Sequence, residues 1–250
     1  MRYETTIACR LACAVALATS LAACGSVDPQ TSTPGAGGDG GAGAPGADTP
    51  LLPWASGNSW RYRVTKDGEV TEKTTTIGEL EPISGTGPYA EELAYHVTTS
   101  KGVDEKDRTE SWQAPDPDEP QRILRYREQS FGAITGELQL EEHWEPAKLH
   151  IDGSVERSSK GASWLEKYEE TKLEVGLPPT SHEQREVWNV IDDDETIEVP
   201  MGTFEHVIHF QKAGSGSTKN YWYLRGIGKL KETGSQTEEL IDYSLEAEAP

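Results

Sequence analysis

The chain has 250 residues and carries 23 basic against 43 acidic side chains, a formal charge of -20 at pH 7. That balance speaks against DNA or RNA as partner, because phosphate binding draws on Lys and Arg, and against docking on anionic lipid through a basic patch. Hydrophobic residues make up only 34%, yet 7 Trp and 9 Tyr supply enough aromatic surface for a core, and every Trp lies at or after Trp54.

The chain opens with a weakly basic stretch, Arg2 and Arg10 diluted by Glu4, and an apolar run from Leu11 to Leu21. The run has signal-peptide length and falls short of the about 20 residues that a spanning helix needs. Leu21-Ala22-Ala23-Cys24-Gly25 follows it and resembles the lipobox of bacterial lipoproteins. The resemblance implies cleavage before Cys24, diacylglycerol on its thiol and usually a further acyl chain on its freed amine, so that a lipid anchor makes a membrane the first partner. Two or three acyl chains anchor stably where one is marginal. Ser26 stands where Asp would favour the inner membrane in enteric bacteria, which points to the outer membrane of a Gram-negative cell envelope. Cys9 and Cys13 fall in the removed peptide and no cysteine follows Cys24, so the mature domain has no disulfide, thiolate nucleophile or Cys-ligated zinc.

From Gly25 to about Pro50 the chain is mostly Gly, Ala, Ser, Thr and Pro with Val27 as its one large apolar residue, a composition that cannot bury enough surface to fold. The expected organisation is a signal peptide over 1–23, lipidated Cys24 with a tether over 24–50, and one domain over 51–250.

That domain reads as strands. Trp60, Tyr62 and Val64 alternate with Arg61, Arg63 and Thr65, the period of a half-buried strand. The same period recurs at Leu93, Tyr95 and Val97, at Leu138 and Leu140, and at Ile241, Tyr243 and Leu245, while Phe204, Ile208 and Phe210 are placed on one face. Asp67-Gly68 and Asp152-Gly153 are hairpin signals, Gly214-Ser215-Gly216 is a connection, and Pro115 to Pro120 is a loop. Ser163 to Val175, with Trp164 and Tyr168 four apart, could be a helix. The expected fold is all-β and mainly antiparallel: one strongly curved sheet, half-barrel or barrel-like, with at most one short helix.

Three motifs carry a further resemblance: Leu52-Pro53-x-x-x-Gly57-Asn58-x-Trp60-x-Tyr62, Glu198-Val199-Pro200-Met201-Gly202-Thr203-Phe204, and Tyr221-Trp222-Tyr223-x-x-Gly226-Ile227-Gly228-x-Leu230-Lys231. Together they resemble a broad group of myxobacterial-type secreted proteins and lipoproteins, over the first strand and roughly the last 60 residues. That group usually has Ala at Met201 and Val at Ile227. The resemblance implies no activity, and the motifs themselves read as turn chemistry: a Pro-x-Gly turn before an inward Phe204, and a tight bend at Gly226 and Gly228.

No catalytic signature stands out. The six histidines form neither His-x-His nor His-Glu-x-x-His, and His206 is placed on the face of Phe204 and Ile208 as a core-edge residue. Asp192, Asp193 and Asp194 are weak calcium candidates lacking the spaced Asp-x-Asp-x-Asp-Gly loop, and Asp116, Asp118 and Glu119 are weaker still. Gly-x-Ser-x-Gly is absent, and Gly226-x-Gly228-Lys229 lacks the spacing of a phosphate loop. The function expected is therefore a membrane-anchored envelope lipoprotein with a non-enzymatic binding or structural role, without cofactor, acting on an unknown protein or an apolar ligand. Two alternatives stand beside it: a carrier or sensor of an apolar ligand such as lipid in a concave sheet, and a hydrolase of envelope polymers.

Overall fold

In the first strand Trp60, Tyr62 and Val64 are buried while Arg61 and Arg63 are exposed, so the alternation does set the inner and outer faces. The computed structural model describes residues 45–102, 106–214 and 216–246. The expected signal peptide, Cys24 and most of the expected tether lie outside those residues.

Twelve strands follow one another: β1 Ser59–Lys66, β2 Glu69–Pro82, β3 Leu93–Lys101, β4 Asp107–Pro115, β5 Arg122–Phe131, β6 Leu138–Asp152, β7 Ser163–Glu174, β8 Thr180–Val199, β9 Gly202–Gly214, β10 Ser217–Leu224, β11 Gly228–Thr233 and β12 Thr237–Ser244. Each pairs antiparallel with its chain neighbour, and β1 pairs with β12, so the sheet closes into an up-and-down barrel. Closure removes the edge strands that would otherwise invite aggregation. One four-residue helix, α1 Val155–Ser158, interrupts the strands. Among the described residues the fold is therefore all-β and barrel-like with one short helix, as expected.

Several local expectations resolve in the same terms. Asp67 and Gly68 take φ of 50° and 84° and turn β1 into β2, as a primed hairpin turn requires. Ser163 to Glu174 is strand β7, because Trp164, Tyr168 and Glu170 are buried in steps of two and Trp164 pairs across to Trp188. A spacing of four suits both periods, which is why the sequence left it open. Asp152-Gly153 is not a hairpin turn. Asp152 ends β6, its Oδ1 accepts the Ser154 amide at 3.0 Å, and the chain passes into α1. Order also begins slightly before residue 51: Arg225 Nη1 donates to the Thr49 carbonyl at 3.0 Å, and the Gly226 amide donates to that of Pro50 at 2.8 Å.

The two ends of the barrel differ. At one end Leu51 and Leu52 are buried, and Arg225 ties the segment before them to Gly153 and Ser158 of the β6–β7 connection. Trp188 is packed between Trp164 and Tyr221, with ring centroids 5.9 and 5.7 Å away, and meets Phe210 edge-on. These rings join the main apolar cluster with Ile123, Leu149, Ile151, Val190 and Leu224. Burial of this aromatic and aliphatic surface is the main term holding a cysteine-free domain together.

The three sequence motifs meet at a seam of the barrel. Strands β11 and β12 pair at only three positions, Lys231–Thr233 against Thr237–Glu239. Beyond those positions, side chains of β1 supply hydrogen bonds to β11 and the turn before it: Trp60 Nε1 donates to the Ile227 carbonyl at 2.6 Å, and the Tyr62 hydroxyl donates to that of Lys229 at 3.0 Å. The Met201 amide, in the β8–β9 turn, donates to the Leu240 carbonyl at 3.2 Å. Asn58 is buried, donates Nδ2 to the Pro53 carbonyl at 3.1 Å and accepts the Glu246 amide at 2.7 Å, so it fastens the start of the domain to its last described residue. Gly226 and Gly228 take φ of 78° and 105°, and a Cβ at Gly228 would come within 2.7 Å of Leu52 Cδ1.

Candidate ligand site in the barrel lumen

A barrel of eight strands is just wide enough for its own side chains. Twelve strands enclose more, and this barrel holds a cavity of about 400 Å³. Its deep wall is aromatic and aliphatic: Trp60, Tyr62, Val97, Leu149, Tyr221 and Tyr223. Strands β2, β3 and β4 contribute hydroxyl and amide groups from Thr75, Thr99, Thr109, Ser111 and Gln113. Charged groups come from Lys73 of β2, Lys101 of β3 and from β5, β6 and β9 to β12. A second space of about 320 Å³ adjoins it, sharing Lys148, Lys212 and Lys219 and adding Tyr168, Glu170 and Glu186.

The charge of the lumen opposes that of the molecule. The residues around the main cavity include six lysines and Arg125 but three glutamates, in a chain whose acids outnumber its bases 43 to 23. Of those glutamates Glu128 pairs with Arg125 at 2.6 Å, and Glu232 and Glu238, together with Glu186 of the adjoining space, serve five of the lysines. Glu238 pairs with Lys73 and, at 2.8 Å, with Lys229. Glu232 pairs with Lys229 at 2.6 Å and Lys219 at 2.9 Å. Glu186 takes Lys212 at 3.2 Å and Lys148 at 3.7 Å, and also accepts the Tyr168 hydroxyl at 2.8 Å.

Burial and the attraction of opposite charges act on these groups in opposite directions. Desolvation lowers the Lys73 ammonium to about 8, with Lys229 adding repulsion and Glu238 opposing both. Desolvation likewise lowers Lys212 to about 8, against the pull of Glu186. For Glu238, burial favours the neutral acid, but Lys229 and Lys73 outweigh it and hold the carboxyl at about 2. Lys229 shows the same contest from the other side: burial lowers it, and Glu232 and Glu238 together carry it well above its ordinary value. His150, fully enclosed, is pushed well below 6.5 by burial and then by Arg125, Lys229, Lys212 and Lys73, so it is neutral. Arg125 Nη2 lies 3.1 Å from its Nδ1, and since a guanidinium only donates, Nδ1 accepts.

The residues singled out from sequence lie elsewhere. Asp192, Asp193 and Asp194 sit on the outside of β8 and do not converge. Asp192 takes Lys160 Nζ at 2.7 Å and the amides of Asp193 and Asp194, Asp193 accepts the Lys160 amide at 3.0 Å, and Asp194 faces His206 Nδ1 at 2.7 Å. Among the described residues no three His, Cys, Asp or Glu side chains are grouped to hold a metal ion. His206 departs from its expected face. It takes φ of 60° at a bulge, which shifts the strand phase so that Val207 and Ile208 are both buried and His206 turns to Asp194. His209 stacks on Trp222 at 4.3 Å, and both rings reach Glu195 at 2.8 Å, an outer-wall clamp across β8, β9 and β10. Asp116 pairs with Arg122 at 3.3 Å and accepts the Asp118 amide at 3.0 Å, which makes that loop a folded turn.

The lumen cations were missed because a charged residue in a strand reads as solvent-facing. The available signal is phase: Lys73 is in step with Thr75 and Ile77, Lys212 with Ile208 and Phe210, and Lys219 with Tyr221 and Tyr223. A lysine in step with core residues points inward.

No protein-family model matches the chain, and no curated protein sequence matches it. Among solved structures it is similar to a Bacteroides fragilis protein described as a candidate exported protein with a YmcC-like fold, at 10% identity and a TM-score of 0.44, over 79% of this chain and 100% of that one. Likeness at this level transfers no property to the chain.

Proposed function

We propose that this protein is a lipid-anchored module of the cell envelope that binds a small ligand in the lumen of its barrel and catalyses no reaction. The observation that carries the binding role is the lumen itself: about 400 Å³, with an aromatic wall and converging polar groups, within the range of small-molecule sites. The anchor rests on the Leu21-Ala22-Ala23-Cys24 stretch, the missing later cysteines and the Gly/Ala/Pro-rich composition of the segment that follows Cys24. A binding role is favoured over hydrolysis because Glu186, Glu232 and Glu238 are each shared between two lysines that hold them ionised, which leaves them poor proton donors near neutral pH, while Glu128 is tied to Arg125.

A wholly apolar ligand fits this lumen poorly. A hydrocarbon would desolvate lysines and glutamates without replacing their hydrogen bonds, which is costly. The outer wall is an equally poor lipid-facing surface where β1 runs, since Arg61 pairs there with Glu72 and Asp242, and Arg63 with Glu239.

Two measurements test the reading. Cys24→Ser moves the protein from the membrane fraction to the soluble one; an unchanged distribution removes the anchor. Native mass spectrometry of the protein released from cells without organic solvent finds a bound small molecule that a lumen-filling Thr99→Trp variant lacks. Identical spectra for the two folded proteins remove the binding role.

A further inference from the structure

The lumen buries more positive charge than it neutralises. Lys73, Lys148, Lys212, Lys219 and Lys229 share only Glu186, Glu232 and Glu238. Lys73, Lys212 and Lys229 are largely withdrawn from water, with side-chain exposures of 11%, 17% and 15%, whereas Lys219 keeps 42%. Removing a cation from water costs several kcal/mol unless an anion meets it. A fold selected for stability alone would replace two of these lysines with polar or apolar residues, as it does at Thr75, Thr99 and Ser111 of the same cavity. The cations also converge. All five line the one cavity, together with the enclosed His150. Beside them the tyrosine rings offer an apolar surface, and Lys73 and Lys229 lie 5.3 and 5.0 Å from the centre of the Tyr62 ring.

Building on the lumen as binding site, we infer that its ligand is an amphipathic organic anion, its acidic group held among Lys73, Lys212 and Lys229 and its body packed on Tyr221 and Tyr223. An acidic group supplies the missing negative charge, and charge-assisted hydrogen bonds to several ammonium groups orient it. A purely inorganic anion would leave the aromatic wall unused. A neutral apolar molecule would leave the lysines uncompensated.

The test uses two fluorescent probes that share a ring system: 8-anilinonaphthalene-1-sulfonate, and N-phenyl-1-naphthylamine, which lacks the sulfonate. They are titrated into the full chain carrying Cys24→Ser, which needs no detergent. The sulfonate is expected to bind at least ten-fold tighter than the neutral probe. Lys73→Gln and Lys212→Gln each weaken it several-fold and leave the neutral probe unchanged, and Thr99→Trp abolishes it. Lys219→Gln, at a half-exposed position, gives a milder loss and serves if the more buried substitutions prevent folding. Equal affinity for both probes, insensitive to the lysine substitutions, overturns the anion while leaving the lumen a binding site. Failure of both probes to bind the folded protein overturns site and anion together, and sulfonate binding that survives Thr99→Trp places the anion outside the lumen and overturns the inference.

Discussion

Trp60 and Ile227 lie 167 residues apart and meet through one hydrogen bond, Nε1 to the carbonyl oxygen at 2.6 Å, where β11 and β12 no longer pair. A carbonyl left unsatisfied at a buried seam costs about 1–3 kcal/mol. Trp60→Phe keeps the ring packing and removes the donor, so equilibrium urea unfolding should show a loss of that size. Trp60→Ala adds a cavity and raises the loss to about 3–5 kcal/mol. Equal stability of Trp60→Phe and the parent would show that the seam does not depend on this bond.

Gly228 and Gly161 separate conformation from space. Both take positive φ, 105° and 87°, but a Cβ at Gly228 meets Leu52 at 2.7 Å and one at Gly161 meets nothing. Gly161→Ala should cost about 1 kcal/mol for backbone strain alone. Gly228→Ala should cost more, because the Leu52 side chain must also shift. The two urea midpoints measured side by side check the order.

Asn58 fastens both ends of the described domain, through Pro53 and Glu246. Asn58→Ala removes both bonds and should lower stability by about 1–3 kcal/mol. It should also speed hydrogen exchange at the Glu246 amide, whose acceptor is the Asn58 side chain. Unchanged exchange there would show that another group holds the end.

The lumen predicts an unusual dependence of stability on pH. Glu238 and Glu232 have folded pKa values below the ordinary 4.5, held down by Lys229 and its neighbours against the effect of burial. Their stabilisation is present above 4.5 and disappears as pH falls towards 2. On the alkaline side Lys73 and Lys212 titrate at about 8 when folded but at 10.5 when unfolded. The unfolded chain then binds more protons between those values, so stability rises with pH from 8. Above 10 the effect reverses, because burial raises the pKa of Tyr62, Tyr221 and Tyr223 and the unfolded tyrosines ionise first. Urea midpoints measured from pH 3 to 11 should therefore reach their maximum between about pH 8.5 and 10.

The barrel was legible in the sequence because Trp60, Tyr62 and Val64 against Arg61 and Arg63 obey the simple rule of apolar inside and charged outside. The lumen was not, because that rule fails inside a wide barrel. Lys73, Lys229 and Glu238 are inward yet look like solvent-facing residues, and the bulge between Trp222 and Tyr223 shifts the phase around Lys229 and Leu230. The helix alternative over Ser163 to Val175 rests on its Glu-, Lys- and Leu-rich composition and on Trp164 and Tyr168 four apart, and the cross-strand partner Trp188 that decides for a strand is remote in sequence. The acidic run at 192–194 drew notice as a group, but its members reach separately to Lys160 and His206.

An NMR titration of the lysine side chains in the ligand-free Cys24→Ser chain asks whether the barrel buries cations without enough counter-charge. Two lysines should titrate near 8, Lys73→Gln and Lys212→Gln should each remove one of them, and the sulfonate probe should return both towards 10.5. Lysines that all titrate at the ordinary value without ligand would show the lumen to be as well solvated as the surface and would rule out a buried excess of positive charge.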